Sequence, residues 1–125
     1  MSASHLDVTA HIVDSAMRVH SALGAGLLES AYQACLAHAL RKRGLHVEEQ
    51  VPRPILFEGV QIDIGYRIDL LVEEQVIVEL KAVTKVLPVH KAQLLSYMRL
   101  AQCPVGLLLN FHVPRMREGI IRMAL

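Results

Sequence analysis

The chain has no tryptophan, and three tyrosines and two phenylalanines are its whole aromatic content in 125 residues. Platforms on which nucleic-acid bases could stack are therefore scarce. Cys35 and Cys103 are the only cysteines, and neither belongs to a Cys-x-x-Cys pair. The seven histidines, at positions 5, 11, 20, 38, 46, 90 and 112, contain no His-x3-His pair, so a zinc site is not expected. Cys35 falls on the apolar stripe of a helix, where a buried structural thiol is expected. No run approaches the ~20 apolar residues a membrane span requires. The stretch from Met1 to Asp7 lacks the basic and apolar blocks of a signal peptide. A cytoplasmic protein with no membrane partner is the expectation. An excess of one charge is missing too: 13 basic against 12 acidic residues leave +1, so any nucleic acid must be met by local clusters. Arg41-Lys42-Arg43 and the looser set Arg115, Arg117 and Arg122 are the candidates. Both read more readily as solvated surface than as a phosphate track.

What the chain does have is apolar content. Hydrophobic residues make up 53% and charged residues 20%, which excludes a disordered chain. At this length a single domain over residues 1–125 with one real core is expected. The apolar fraction is high for so small a protein, and a homodimer that buries part of it follows as an expectation.

Periodicity divides the chain into alternating helical and extended segments. Residues 5–23 read as a helix with Ile12, Val13, Ala16, Met17 and Leu23 on one stripe, ended by Gly24-Ala25-Gly26. A second helix is predicted from Leu27 to Arg43, carrying Leu28, Tyr32, Cys35, Leu36, Ala39 and Leu40, with Gly44 as its C′ residue. Residues 46–51 and 54–58 are strand candidates that Pro52 and Pro54 confine to an edge or a bend. Pro88 opens a third helix reaching about Gln102. The apolar run Val105 to Phe111, bounded by Pro104 and Pro114, reads as a buried central strand. Residues 119–124 offer a last edge strand. The result is an α/β domain, a mixed sheet flanked by helices.

Chemistry concentrates between Tyr66 and Val83. Tyr66, Ile68, Leu70 and Val72 alternate onto one apolar face, as do Val76, Val78, Leu80 and Ala82. A three-residue loop at Glu73-Glu74-Gln75 pairs Val72 with Val76 and sets Asp69 opposite Glu79. Two carboxylates then lie roughly 4.5–5.5 Å apart at Cβ, which destabilises a sheet unless a cation sits between them. Lys81, two residues beyond Glu79, joins them on that face. Two acids for a divalent metal and one lysine for a developing anion suit phosphodiester cleavage. The bland alternative is a solvent-facing Glu79–Lys81 pair worth at most about 1 kcal/mol. Ile77 and Val83 on the same face argue against so wet a setting.

The pattern Asp69-x9-Glu79-x-Lys81 resembles the core of the PD-(D/E)XK nuclease superfamily. Gly26-Leu27-Leu28-Glu29-Ser30-Ala31-Tyr32 reads as G-x-x-E-x-x-Y, the motif of its small GxxExxY family. Gln93-Leu94-Leu95-Ser96-Tyr97 is similar to the Q-x-x-x-Y motif of RecB-type nucleases. The blocks agree in order and spacing from about Val8 to the end, and Ile68 stands where the eponymous proline would be. The resemblance implies a restriction-endonuclease-like fold, a nucleic-acid substrate (DNA or RNA) and Mg²⁺ or Mn²⁺ as cofactor. It implies metal ligation by Asp69, Glu79, the backbone carbonyl of Leu80 and, directly or through water, Glu29. Lys81 would orient the attacking water or stabilise the pentacovalent charge. Gln93 would position water or phosphate, and Tyr97 would bond substrate or Lys81. Each helix residue has a plainer reading. Glu29 near N3, with Gly26 near the N-cap, would serve the helix end. Tyr32 would pack with a satisfied hydroxyl. Gln93, Tyr97 and His90 would form a polar helix face. A nuclease-fold dimeric binding module without activity is the competing function.

Overall fold

In the computed structural model, which describes residues 5–125, these segments become three α-helices and five strands. Met1 to Ser4, which entered the signal-peptide reading, lie outside the described residues. Helices α1 (His5–Leu23) and α2 (Glu29–Lys42) precede β1 (Val47–Phe57), β2 (Val60–Val72) and β3 (Val76–Lys81). Helix α3 (Pro88–Ala101), β4 (Val105–Asn110), a 3₁₀ turn (Met116–Gly119) and β5 (Ile120–Ala124) follow.

The strands form one sheet in the order β1-β2-β3-β4-β5, with β3 and β4 parallel and the other pairs antiparallel. A parallel pair needs a crossover, and α3 supplies it. Helices α1 and α2 cover one face, where Val8, Ile12, Tyr32, Leu36 and Leu40 pack on Leu70, Val78, Leu80, Leu107 and Leu109. Helix α3 covers the other, where Leu94 and Met98 pack on Ile68, Leu71, Ile77 and Leu108. All six residues of β4 are buried, as a strand covered on both faces requires.

Local signals explain most boundaries. Gly44 (φ 83°) follows α2 and donates to Arg41 O (2.9 Å) while Leu45 donates to Leu40 O (3.2 Å), a Schellman close. Pro88 is the first residue of α3, whose N-cap is Leu87. His90, expected on a polar face with Gln93 and Tyr97, instead uses Nδ1 to accept the Leu87 N–H (2.9 Å).

Four readings are corrected. The buried stripe of α1 is Val8, Ile12, Ala16 and Val19, whereas Met17 and Leu23 are exposed. Cys35 is exposed and Cys103 is the buried thiol, because the sheet-facing side of α2 runs through Tyr32, Leu36, Ala37 and Leu40. The two candidates at 46–51 and 54–58 merge into one edge strand, β1 (Val47–Phe57), which tolerates Pro52 and Pro54 because an edge needs fewer donors. Strand β2 also starts earlier than Tyr66, so that β1 and β2 extend past the sheet as an arm closed by the Glu58-Gly59 turn.

Candidate active site

The hairpin of β2 and β3 closes as its turn residues dictate. Glu73 and Glu74 adopt φ of 53° and 54°, and Val72 pairs with Val76, Leu71 with Ile77 and Leu70 with Val78. The ladder ends there. At the next step the backbone pairing gives way to two side chains. Glu79 Oε2 accepts the Asp69 backbone N–H (2.8 Å), and Asp69 Oδ2 accepts the Leu80 N–H (3.0 Å). Each carboxylate thus reaches across to the other residue's strand and replaces a ladder bond where the strands separate.

The single-face geometry expected for Tyr66 to Val72 does not hold. Tyr66 and Ile68 belong to the α3 side of the sheet, whereas Leu70 and Val72 belong to the α1/α2 side. The alternation breaks at Asp69. Strand β1 breaks opposite it: Gln50 has φ of 50°, Val47 faces the α1/α2 core and Val51 the α3 core. Both strands turn over together, a bulge-like irregularity that aims side chains out of register. Asp69 consequently lines a cavity of about 770 Å³ shared with Glu29, Gln33, Gln50, Arg67, Leu80 and Ala82. Alternation along β3 sends Glu79 and Lys81 the way of Ile77, toward α3. The acids meet through the gap between strands rather than side by side on a flat sheet.

Burial makes this meeting consequential. Glu79 is 4% exposed. Desolvation, reinforced by the Asp69 charge and a shared side-chain hydrogen bond with it, pushes the Glu79 carboxyl up to about 8, with Lys81 pulling the other way. Lys81 forms no ion pair among the described residues. Its backbone is fixed by Phe111 N–H on Lys81 O (2.9 Å). Beyond it, buried Asn110 holds both Val83 N (3.1 Å) and Val83 O (2.9 Å).

The G-x-x-E-x-x-Y block has a mechanical explanation. Tyr32 stacks on Phe111 (centroids 4.4 Å, 11°), donates to Gly24 O (2.6 Å) and accepts from Leu27 N (3.1 Å). Gly26, at φ 100°, allows the intervening loop to turn. Leu28, not Gly26, is the N-cap, so Glu29 is the first helical residue and makes no cap bond. Glu29 Oε1 accepts the Ala82 N–H (3.2 Å), just past Lys81.

The superfamily pattern of PD-(D/E)XK nucleases matches residues 6–123. The chain belongs to the PD-(D/E)XK nuclease superfamily. No curated protein and no solved structure matches it. Its five-stranded mixed sheet between helices is the restriction-endonuclease-like α/β fold of that superfamily.

Within this PD-(D/E)XK fold, Asp69, Glu79, Leu80 and Lys81 lie at the strand separation, and Glu29 shares the Asp69 cavity. Glu29 does not complete a cluster: among the described residues no three His, Cys, Asp or Glu side chains converge as a metal group. Gln93 and Tyr97 sit on the α3 side and bond each other (2.9 Å), with Tyr97 against Tyr66 (4.8 Å). Neither hydrogen-bonds Asp69, Glu79 or Lys81 among the described residues. Sequence reasoning passed over Gln50, which donates to Asp69 Oδ1 (3.2 Å) and to Gln33 Oε1 (2.5 Å). It also passed over Arg67 and Asn110. Single glutamines carry no spacing signal, but Arg67, two residues before Asp69, could have been flagged by alternation. Of the basic cluster, Arg41 pairs with Glu49 (3.0 Å) and Arg43 with Asp14, which fits a solvated helix end.

Proposed function

We propose that this chain is a divalent-metal-dependent nuclease of the GxxExxY type that hydrolyses phosphodiester bonds in DNA or RNA. The observation that carries the reading is the pairing of buried Glu79 with half-buried Asp69 at a strand separation, with Lys81, which forms no ion pair among the described residues, two residues on. A protein gains nothing in stability from a carboxyl whose charge is opposed by burial and by a neighbouring acid. The donor set consists of oxygens alone, from Asp69, Glu79 and the Leu80 carbonyl, and suits Mg²⁺ or Mn²⁺ rather than zinc. Held by these residues, such an ion would polarise phosphoryl oxygens and acidify the attacking water.

The remaining roles belong to the chain itself. Lys81 offers a positive charge to the oxygens that become more negative in the transition state. Gln50 holds the Asp69 carboxylate in orientation, and Glu29 steadies the backbone just past Lys81 and would act on a bound metal only through water. Arg67 offers a phosphate contact at the cavity wall. Gln93 and Tyr97 act as a wall of the substrate cleft on the α3 side. A second reading, a catalytically silent dimeric binding module, is favoured by the near-neutral charge and the exposed apolar arm.

Incubation with single- and double-stranded DNA and RNA, with and without Mg²⁺ or Mn²⁺, separates the two. Cleavage of at least one substrate that stops in EDTA and in Glu79→Gln is expected. Metal binding without cleavage of any substrate would leave the silent module.

A further inference from the structure

The outer halves of β1 and β2 form an arm that, among the described residues, pairs only with itself. Among the described residues, neither core draws a buried or packed residue from positions 54–65. Yet Leu56 is 74% exposed, Phe57 61%, Val60 57%, Ile62 42% and Ile64 92%. Monomeric proteins rarely expose apolar patches beyond about 300–600 Å²; Phe57, Val60 and Ile62 fall on one side of the arm, and Leu56, paired with Gln61, on the other. A stable interface takes about 800 Å² from each partner, so the root of the arm must join the apolar tip in the contact.

We propose that the arm is an interface at which two copies of this chain pair, apolar face on apolar face, about a two-fold axis. Cross-strand register puts Phe57 opposite Val60 and Ile55 opposite Ile62, so these four share one face. Arg53, paired with Tyr66, lies at the arm's root, beyond a register irregularity between Arg53 and Ile55. Glu58 occupies the turn at its tip. The arm is thus acidic at one end and basic at the other. An axis crossing near Ile55 and Ile62 lays each copy's tip over the other's root and sets Glu58 beside the partner copy's arginine, twice. An isologous contact requires this kind of self-complementarity. Phosphates would meet an apolar surface with an acidic tip, so nucleic acid does not fit this face. Edge-to-edge strand addition does not fit either, since Pro52 and Pro54 interrupt the donors of the edge strand. Stacking of faces remains. This pairing does not depend on the nuclease reading.

Sedimentation velocity across a concentration series tests it. The wild type is expected to sediment as a dimer of the 13.9 kDa chain. Phe57→Asp and Ile62→Asp should each weaken the dimer by about 30-fold or more, as a charge set in an interface centre does. Their far-UV spectra should stay unchanged, because the replaced side chains are exposed in the single chain, and any fall in melting temperature should track loss of the dimer. Arg53→Glu and Glu58→Arg should each weaken pairing, and the double variant Arg53→Glu/Glu58→Arg should restore it. A wild type that stays monomeric up to about 100 μM would overturn the proposal, a concentration well above a μM dissociation constant. So would a dimer indifferent to the aspartate variants, or a double variant no better than its parents.

Discussion

Buried beside Asp69, the Glu79 carboxyl keeps its proton to about 8, whereas its ordinary value is 4.5. The folded state therefore binds more protons than the unfolded one between those values, and stability falls as pH rises through them. The contribution is complete below about 4.5 and lost as pH passes 8. Thermal melts from pH 5 to 8.5 should show this decline, and Glu79→Gln should flatten it. Asp69→Asn removes a like charge while an amide can still bridge Leu80 N–H and Glu79, so its metal-free melting temperature should equal or exceed that of the wild type, by about 1 kcal/mol at most. Mn²⁺ at a hundredfold excess over its dissociation constant should stabilise the wild type by about 2.7 kcal/mol, and Asp69→Asn should forgo most of that gain. A destabilised variant and two metal-indifferent proteins would make Asp69 an ordinary structural acid. Lys81→Ala should leave melting within about 0.5 kcal/mol, since the side chain is neither buried nor paired. It should lower the cleavage rate by about 10²–10³, the usual effect of removing one transition-state charge stabiliser. Wild-type cleavage in that variant would point to another site.

Elements, rather than single residues, decide where those side chains go. Tyr32→Phe tests this directly, because it keeps the stack on Phe111 and removes only the hydroxyl that ties Gly24 and Leu27. A loss of about 1 kcal/mol is expected, together with faster hydrogen exchange at Leu27 N–H. The same local logic made much of the fold readable. Gly44 announced the end of α2, Pro88 the start of α3, and Glu73-Glu74-Gln75 the register that pairs Val72 with Val76. The alternation of Asp69 with its neighbours was misread, because the turnover needs a left-handed Gln50 on the facing strand and no period within β2 encodes it. Cys35 was placed in the core because apolar spacing alone leaves open which side of a helix its neighbours cover. Gly59 and Gly65 punctuate the arm as a loop would, which hid the first half of β2. Gly65 is there for closeness: a Cβ would stand 2.1 Å from Arg53 O.

On the scale of the whole molecule, β2 pairs with β1 along its length but with β3 only from Leu70 to Val72. The β3 ladder stops beside Asp69, where the side chains of β2 change from one core to the other. Positions 54–65 lie outside both cores, whereas the groups that hold the acids, Gln50 and the Asp69 and Leu80 N–H, lie between the arm and the β2–β3 turn. Selection on the arm and selection on the site are therefore separable. Paired insertions or deletions in the arm would alter its reach and its partner without moving Asp69, whereas one residue added between Asp69 and Val72 would rotate the acid out of the gap. Related chains should accordingly differ most in arm length and tip sequence, and least over Asp69 to Lys81. The molecule can change its associations quickly while its chemistry stays fixed.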